Sequence, residues 1–257
     1  MTPALWVALA GVLGLMVGSF LNVCISRLPA GESIVYPSSR CPHCRTPIKW
    51  YDNIPVISYI VLGGKCRACH APISVRYPLI ELATGVAFAA QAIACGEDWP
   101  LLASRVVFSA MLVVLFGTDL ETQRLPNVLT LPGIVVGLVG SIWVPPGIVD
   151  AVIGALAGAA VLYAIRWLWH RVTGVEAMGL GDVKMLAMIG AFLGWRQVIV
   201  TLFLSSVAGA LVGLALAAVR GRSMQSRLPF GTFLALAAFA ASIWGEPLVD
   251  WYVSLYR

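Results

Sequence analysis

Apolar runs dominate the chain, broken by short polar stretches. Eight such runs lie near residues 4–24, 78–96, 101–118, 128–145, 149–169, 179–195, 198–219 and 229–246. A helix that crosses a bilayer needs roughly 20 apolar residues. The pattern therefore predicts an all-α polytopic membrane protein with about eight transmembrane helices. The first run is long, is interrupted by glycine and has no basic residues ahead of it, so it is expected to be a retained anchor rather than a cleaved signal peptide. One connection differs from the rest. Residues 25–77 form a polar segment with little hydrophobic periodicity, and every other loop is short. This divides the chain into a first transmembrane helix (1–24), a small loop domain (25–77) and a membrane-embedded body (78–257). No internal repeat and no low-complexity tract stand out.

Composition agrees. Of 257 residues, 60% are hydrophobic and 11% are charged, against about 25% charged in ordinary soluble domains. A soluble globular domain, a disordered chain and a small disulfide scaffold are all excluded. The net charge of +5 does not point to nucleic acid, because no basic stripe with interleaved aromatics is present. It reflects loop bias instead. With the N-terminus outside and an even number of crossings, the inner side receives Arg27, Arg40, Arg45, Lys49, Lys65, Arg67, Arg76, Arg124, Arg166, Arg171, Lys184, Arg220, Arg222 and Arg227. The outer side keeps Arg105, Arg196 and Arg257. Basic residues concentrate in cytoplasmic loops, so both termini are expected in the periplasm and residues 25–77 in the cytoplasm, with lipid around the helices.

The polar segment holds four of the six cysteines, as Cys41-Pro-His-Cys44 and Cys66-Arg-Ala-Cys69. Two C-x-x-C pairs place four thiolates for tetrahedral Zn²⁺. The 21-residue gap between them is slightly longer than the usual spacing of about 15–20. A segment this small buries little core, so a metal would contribute its folding energy. Two disulfides are the alternative, which a reducing cytoplasm disfavours. His43 and His70 adjoin the pairs and are alternative ligands, although four cysteines suffice. Cys24 and Cys95 lie alone at helix ends and read as small apolar residues.

Acids inside a membrane are costly and point to function. Asp119 ends the third run, in Phe116-Gly-Thr-Asp-Leu-Glu121. Asp182 opens the sixth, in Met178-Gly-Leu-Gly-Asp-Val-Lys184. Two whole crossings separate them, so both belong at the cytoplasmic face. From Val183 to Trp195 only 13 residues remain, too few to cross, so the sixth helix is expected to begin near Met178 and carry Asp182 into the membrane zone. Gly179 and Gly181 allow close helix approach there. Two carboxylates that approach each other share a proton, one acting as general base on water and the other as general acid. That is the chemistry of aspartic peptide hydrolysis. The alternative is that each aspartate caps a helix or pairs with Lys184 or Arg124. Glu121 is a weaker third candidate. Glu81, in the second run, is a fourth acid, five residues after Arg76 and a possible partner for it.

With these residues in view, the chain resembles the type IV prepilin peptidases, a bifunctional group of GxGD intramembrane aspartyl proteases. The resemblance runs through Gly18-Ser-Phe-Leu-Asn-Val23, Arg27-Leu-Pro29, Ser39-Arg-Cys-Pro-His-Cys44, Tyr51-Asp-Asn-Ile-Pro55, Ser58-Tyr59, Gly64-Lys-Cys-Arg67, Ile73, Arg76-Tyr-Pro78 and Glu81-Leu82. It continues at Asp119, Leu125-Pro126, Leu129-Thr-Leu-Pro132 and Gly179-Leu-Gly-Asp-Val-Lys184. It implies cleavage of the basic leader of prepilins or pseudopilins after a glycine, then methylation of the new N-terminal amine from S-adenosylmethionine. It implies a bacterial inner-membrane location, Asp119 and Asp182 as the catalytic pair, and Cys41, Cys44, Cys66 and Cys69 as zinc ligands. It ties Gly85, and with it Glu81, to the methyl-donor site. Asn127 stands where many members carry Asp. No Gly-rich cofactor turn is visible, so residues 25–77 are the expected place for methyl transfer. A peptidase without methyl transfer is an alternative, and an acid-relay transporter is another; transporters tend to hold their acids at the midplane within inverted repeats.

Overall fold

The structure is a computed structural model that describes residues 2–175, 178–220 and 229–256. Arg222, Arg227 and Arg257, used above for orientation, lie outside the described residues. Nine α-helices are described: α1 (Pro3–Arg27), α2 (Ile57–Val61), α3 (Arg76–Cys95), α4 (Trp99–Thr122), α5 (Asn127–Gly140), α6 (Ile148–Thr173), α7 (Leu180–Leu193), α8 (Trp195–Arg220) and α9 (Phe230–Ser254). Among the described residues there is no β-strand, only the isolated bridges Arg40–Pro47 and Lys65–Pro72.

Apart from the five-residue α2, the helices fall on the eight expected apolar runs. Six of them, α1, α3, α4, α6, α8 and α9, are long and apolar enough to cross a membrane. The other two, α5 and α7, have 14 residues each. At 1.5 Å per residue that is roughly 21 Å, short of the roughly 30 Å hydrocarbon core. The start of α7 also differs by two residues from the expected Met178. Gly179 is extended (φ −74°, ψ 150°) and serves as the N-cap, and Arg166 of α6 donates to the Met178 carbonyl. Asp182 therefore sits in the first turn of α7.

The chain forms two compact units, residues 1–102 and 103–257. In the first, α1 packs along α3. Their backbones come close where α1 has no side chain. A β-carbon on Gly14 would lie 2.6 Å from the Thr84 carbonyl oxygen, and one on Gly18 would lie 2.8 Å from Glu81 Cα. Small residues at this spacing are the usual way for helices to associate in lipid. The opposite side of α1 exposes Leu5, Leu9, Val12, Met16 and Phe20, a lipid-facing stripe.

In the second unit α7 is the hub, packed by α5, α6, α8 and α9. Every residue from Met185 to Leu193 is buried. Such a helix is apolar on all sides because it faces protein all round, and so it need not match the bilayer thickness. Its core partners include Phe108, Leu112 and Leu115 of α4, Leu162 of α6 and Leu234 of α9. A glycine seam sets the α6–α7 distance. A β-carbon on Gly154 would lie 2.5 Å from the Gly190 carbonyl oxygen, and one on Gly158 would lie 2.7 Å from that of Leu186. Overpacking a tight contact costs about 1–3 kcal/mol. Gly154→Ala should therefore destabilise the protein by that amount in chemical unfolding from detergent. Gly209→Ala, whose β-carbon would make only an ordinary 3.8 Å contact with Phe233, should be neutral.

Candidate functional site

Asp119 lies in the last turn but one of α4 and is 5% exposed. Its Oδ2 accepts the Thr232 backbone N–H at 2.7 Å and the Thr232 hydroxyl at 3.1 Å. Thr232 is in the first turn of α9, where N–H groups lack partners within the helix. The carboxylate fits because residue 231 is glycine: a β-carbon there would stand 3.0 Å from both Cγ and Oδ2 of Asp119. Asp182 is 9% exposed. It lies within electrostatic range of Asp119, and the backbone at Gly179 engages its carboxylate. The structure thus brings together the two acids that stand 63 positions apart in sequence.

The competing explanations are only partly realised. Asp119 does bond to a helix start, that of α9. Asp182 is the third residue of α7, and its carboxylate accepts from the backbone N–H of the N-cap, Gly179, so it too engages a helix start, its own. Among the described residues neither acid is ion-paired, and the Lys184 ammonium turns away to Asn127 Oδ1 at 2.8 Å. Gly181, beside Asp182, has Leu125 against its α-carbon, with a β-carbon landing 2.9 Å from that of Leu125. The Leu125-Pro126 break after α4 therefore abuts the start of α7. Thr232 and Gly231 were missed by the sequence reading. Their one signal is that Pro229-Phe-Gly-Thr232 opens a helix, which names no partner.

The four cysteines converge. Their sulfurs all lie within 4.8 Å of one another, with Cys41–Cys69 at 3.8 Å and Cys44–Cys66 at 4.0 Å. A disulfide needs about 2.05 Å. A tetrahedron of thiolates about 2.3 Å from zinc has edges of about 3.8 Å. All six cysteines are free thiols, and the four-sulfur set is complete without His43 or His70. The hydroxyl and backbone of Thr46 push the Cys44 thiol down to about 6. Backbone N–H groups at Cys69 and Ala68 lower Cys66. For Cys69 the backbone at Ala71 acts downward, yet desolvation and the other three thiols carry it up to about 11.

The two halves of this centre are built alike, which corrects the expectation that no internal repeat exists. Residues 39–48 and 64–73 share a basic-Cys-x-x-Cys-x-x-Pro-Ile pattern offset by 25. The Cys41 N–H donates to the Thr46 carbonyl and the Arg45 N–H to the Cys41 carbonyl. Cys66 with Ala71, and His70 with Cys66, do the same. Ile48 then bonds Ser39 as Ile73 bonds Gly64. Arg45 (φ 57°) and His70 (φ 56°) both turn left-handed. The unit is about ten residues long and only its two cysteines and Pro-Ile recur, so it is below the scale at which repeats draw notice. Asp52 and Arg67 brace it through a bidentate pair at 2.6–3.1 Å. The Arg67 guanidinium holds the Asp52 carboxyl below its usual range.

Glu81 is buried where α3 meets α1. Its Oε2 accepts the Val56 N–H at 2.8 Å, and the Ser19 hydroxyl also meets the carboxylate. Gly85, one turn on, belongs to the helix seam: a β-carbon there would press Leu15 at 3.0 Å and the Gly11 carbonyl oxygen at 3.2 Å. In the same seam the Asn22 amide donates to the Gly18 and Tyr77 carbonyls, while its buried Oδ1 has no partner among the described residues.

Comparison with known proteins gives two family matches, the Bacterial Peptidase A24 N-terminal domain over residues 12–95 and the Type IV leader peptidase family over residues 106–214. A prepilin leader peptidase/N-methyltransferase of Aeromonas hydrophila is 39% identical, with 98% of this chain and 95% of that protein covered. One of Pseudomonas putida is 41% identical over 96% of this chain and 94% of its own length. The chain belongs to the type IV leader peptidase family. No solved structure matches it. In this leader peptidase, the first family match covers the seam and the cysteine centre, and the second covers both aspartates but stops short of Thr232.

The sulfur geometry yields a direct expectation. Reduced, metal-free protein should bind one equivalent of Co²⁺ with the strong thiolate charge-transfer absorption of a four-sulfur site. Cys44→Ser should weaken that absorption, and Cys41→Ser with Cys66→Ser should abolish it. Absorption titration of purified protein measures this, and octahedral Co²⁺ spectra in the wild type would contradict it.

Proposed function

We propose that this protein is a bifunctional enzyme of the bacterial inner membrane. It cleaves the leader of prepilins or pseudopilins at the cytoplasmic face and N-methylates the residue that cleavage exposes. Both termini lie in the periplasm and the cysteine segment in the cytoplasm, a reading supported by the 14 of 17 basic residues assigned to the inner side. We assign 1–24 to an anchor, 25–77 to a zinc-stabilised cytoplasmic domain and 78–257 to the body that holds the protease chemistry. The observation that carries the reading is that Asp119 and Asp182, both buried, lie within electrostatic range of each other with no cation paired to either among the described residues.

In the cleavage step, one carboxylate takes a proton from water, whose oxygen attacks the scissile carbonyl carbon. The other carboxyl gives its proton to the carbonyl oxygen. The tetrahedral adduct collapses as the C–N bond breaks, and the leaving amine takes a proton. Thr232 fixes the orientation of Asp119 through two donors on one oxygen. Gly231 and Gly181 let the α9 and α7 backbones come close enough to hold the pair. A prepilin has a basic leader followed by an apolar helix, so its scissile bond lies at the interface depth of the two aspartates.

For methyl transfer, we assign Glu81 and Gly85, which lie in the α1–α3 seam, to the surroundings of the donor site. The residues fit such a ligand in one respect: the buried Asn22 Oδ1 lacks a protein donor, and a polar ligand would supply one. S-adenosylmethionine when bound supplies the methyl group. The chain's part is to orient the new amine and to exclude water. Zn²⁺, held by Cys41, Cys44, Cys66 and Cys69, is structural, since four thiolates leave no open position. A peptidase that had lost methyl transfer would have no evident use for so complete a cysteine centre.

Two outcomes test these roles. Asp119→Asn and Asp182→Asn should each lower leader cleavage by about 10⁴ or more, as loss of one member of a catalytic unit does, with expression and detergent unfolding unchanged. Near-normal cleavage by either variant would remove that aspartate from the mechanism. Cys41→Ser with Cys44→Ser should release zinc, measured by metal analysis, and reduce methyl incorporation more than cleavage. Cleavage lost while methylation of pre-cleaved pilin survives would reverse the assignment.

A further inference from the structure

Val56 adopts φ 62°, ψ −48°, a region that β-branched residues rarely enter. The Ile57 N–H donates to the Pro55 carbonyl at 2.6 Å, which closes a three-residue γ-turn on Val56. A γ-turn with positive central φ is rare and strained. Strain of this kind persists only where the surroundings over-determine it, and it gathers at functional sites. The surroundings are on view here. Glu81 reaches from α3 to take the Val56 N–H. Ser58 accepts the Ile54 N–H at 3.0 Å and donates to the Tyr51 carbonyl at 2.9 Å, which holds the flanks. Glu81 is itself fixed, because α1 approaches at Gly18 and a β-carbon there would lie 2.8 Å from Glu81 Cα.

The carboxylate serves two neutral donors, the Val56 N–H and the Ser19 hydroxyl. The turn it holds lies between the two cysteine pairs, in the unit that contains neither catalytic aspartate. From this, the geometry points to Glu81 as a positioning residue: it imposes the left-handed γ-turn at Pro55–Ile57 that presents this loop to the methyl-transfer reaction, and it does not touch the reacting atoms itself. The inference rests on the methyl-transfer reading above and narrows the part Glu81 plays in it. A glycine at position 56 adopts φ +62° without steric cost, so it makes the carboxylate partly dispensable. A residue that bound the amine or the donor directly could not be replaced in this way.

The test uses the full chain in lipid nanodiscs, loaded with zinc, with a synthetic prepilin and S-adenosylmethionine labelled in the methyl group. The readout is the ratio of methyl incorporation to leader cleavage in one preparation. Glu81→Ala should lower this ratio at least tenfold. Glu81→Gln, whose amide oxygen still accepts the Val56 N–H, should keep it within about threefold of wild type. Val56→Gly combined with Glu81→Ala should recover at least fivefold over Glu81→Ala alone. Equal loss in Glu81→Gln and Glu81→Ala would overturn the proposal in favour of direct chemistry by the carboxylate. Failure of Val56→Gly to recover the ratio would overturn it as well. Should Glu81→Ala not survive purification, the Glu81→Gln ratio decides alone, and a tenfold fall overturns the proposal. Wild-type protein that cleaves without transferring label would sink the methyl-transfer reading and this inference together. Loss only in the variants leaves that reading standing.

Discussion

A carboxylate enclosed in an apolar helix bundle must find its hydrogen bonds in the protein, because an unsatisfied one costs several kcal/mol. Asp119 finds them on the first turn of α9, and much of the second unit follows from that bond. The start of α9 must come to the end of α4, so residue 231 must lack a side chain. The α7 helix must then enter beside both, so Gly181 packs against Leu125 and Gly179 keeps the approach extended. Gly231 and Gly181 each mark a backbone-to-side-chain distance that an alanine would lengthen. What the family signature shows as a GxGD string is, in three dimensions, the clearance needed to bring a second acid to the first.

The same economy governs the first unit with other chemistry. Residues 25–77 have too few buried apolar groups for a core, and their fold depends on a repeated hydrogen-bonded loop closed on four sulfurs. The two halves are near copies, so their cysteines meet as pairs about a pseudo-two-fold arrangement. Metal affinity here is folding energy. The Asp52–Arg67 pair, with Arg67 about half exposed and Asp52 largely covered, ties the segment between the knuckles to the second of them. Glu81 connects that segment to the helix seam through Val56, so the cysteine domain and the α1–α3 pair are mechanically joined within one unit.

Much of this was legible in the amino-acid order. Helix positions followed from hydropathy because lipid and protein interiors both demand apolar side chains. The cysteine cluster and the two aspartates stood out because such residues are costly where they lie. The remainder was hidden for physical reasons. Hydropathy does not tell a lipid-facing helix from one buried in protein, so nothing in its apolar run set α7 apart as the helix that the others enclose. Thr232 is an ordinary helix-start residue whose partner lies 113 positions away. The repeat in the cysteine segment spans only about ten residues, and its extent shows in the matching backbone hydrogen bonds that accompany the shared Cys-x-x-Cys-x-x-Pro-Ile pattern. Glu81 was expected near Arg76 by spacing along one helix, whereas its bond runs to Val56, a loop amide that spacing along a helix says nothing about.

The central claim is that one chain performs hydrolysis at the aspartate pair and then methylates the amine that hydrolysis creates. The most direct measurement is mass analysis of all peptide products after purified, zinc-loaded wild-type protein in lipid acts on a synthetic prepilin with S-adenosylmethionine. The account predicts a free leader ending in glycine and a mature chain heavier by one methyl group on its N-terminal nitrogen, with the methylated chain appearing after the unmethylated one. Intact prepilin at the end of the reaction, or a methyl group on prepilin that is still uncut, would contradict it.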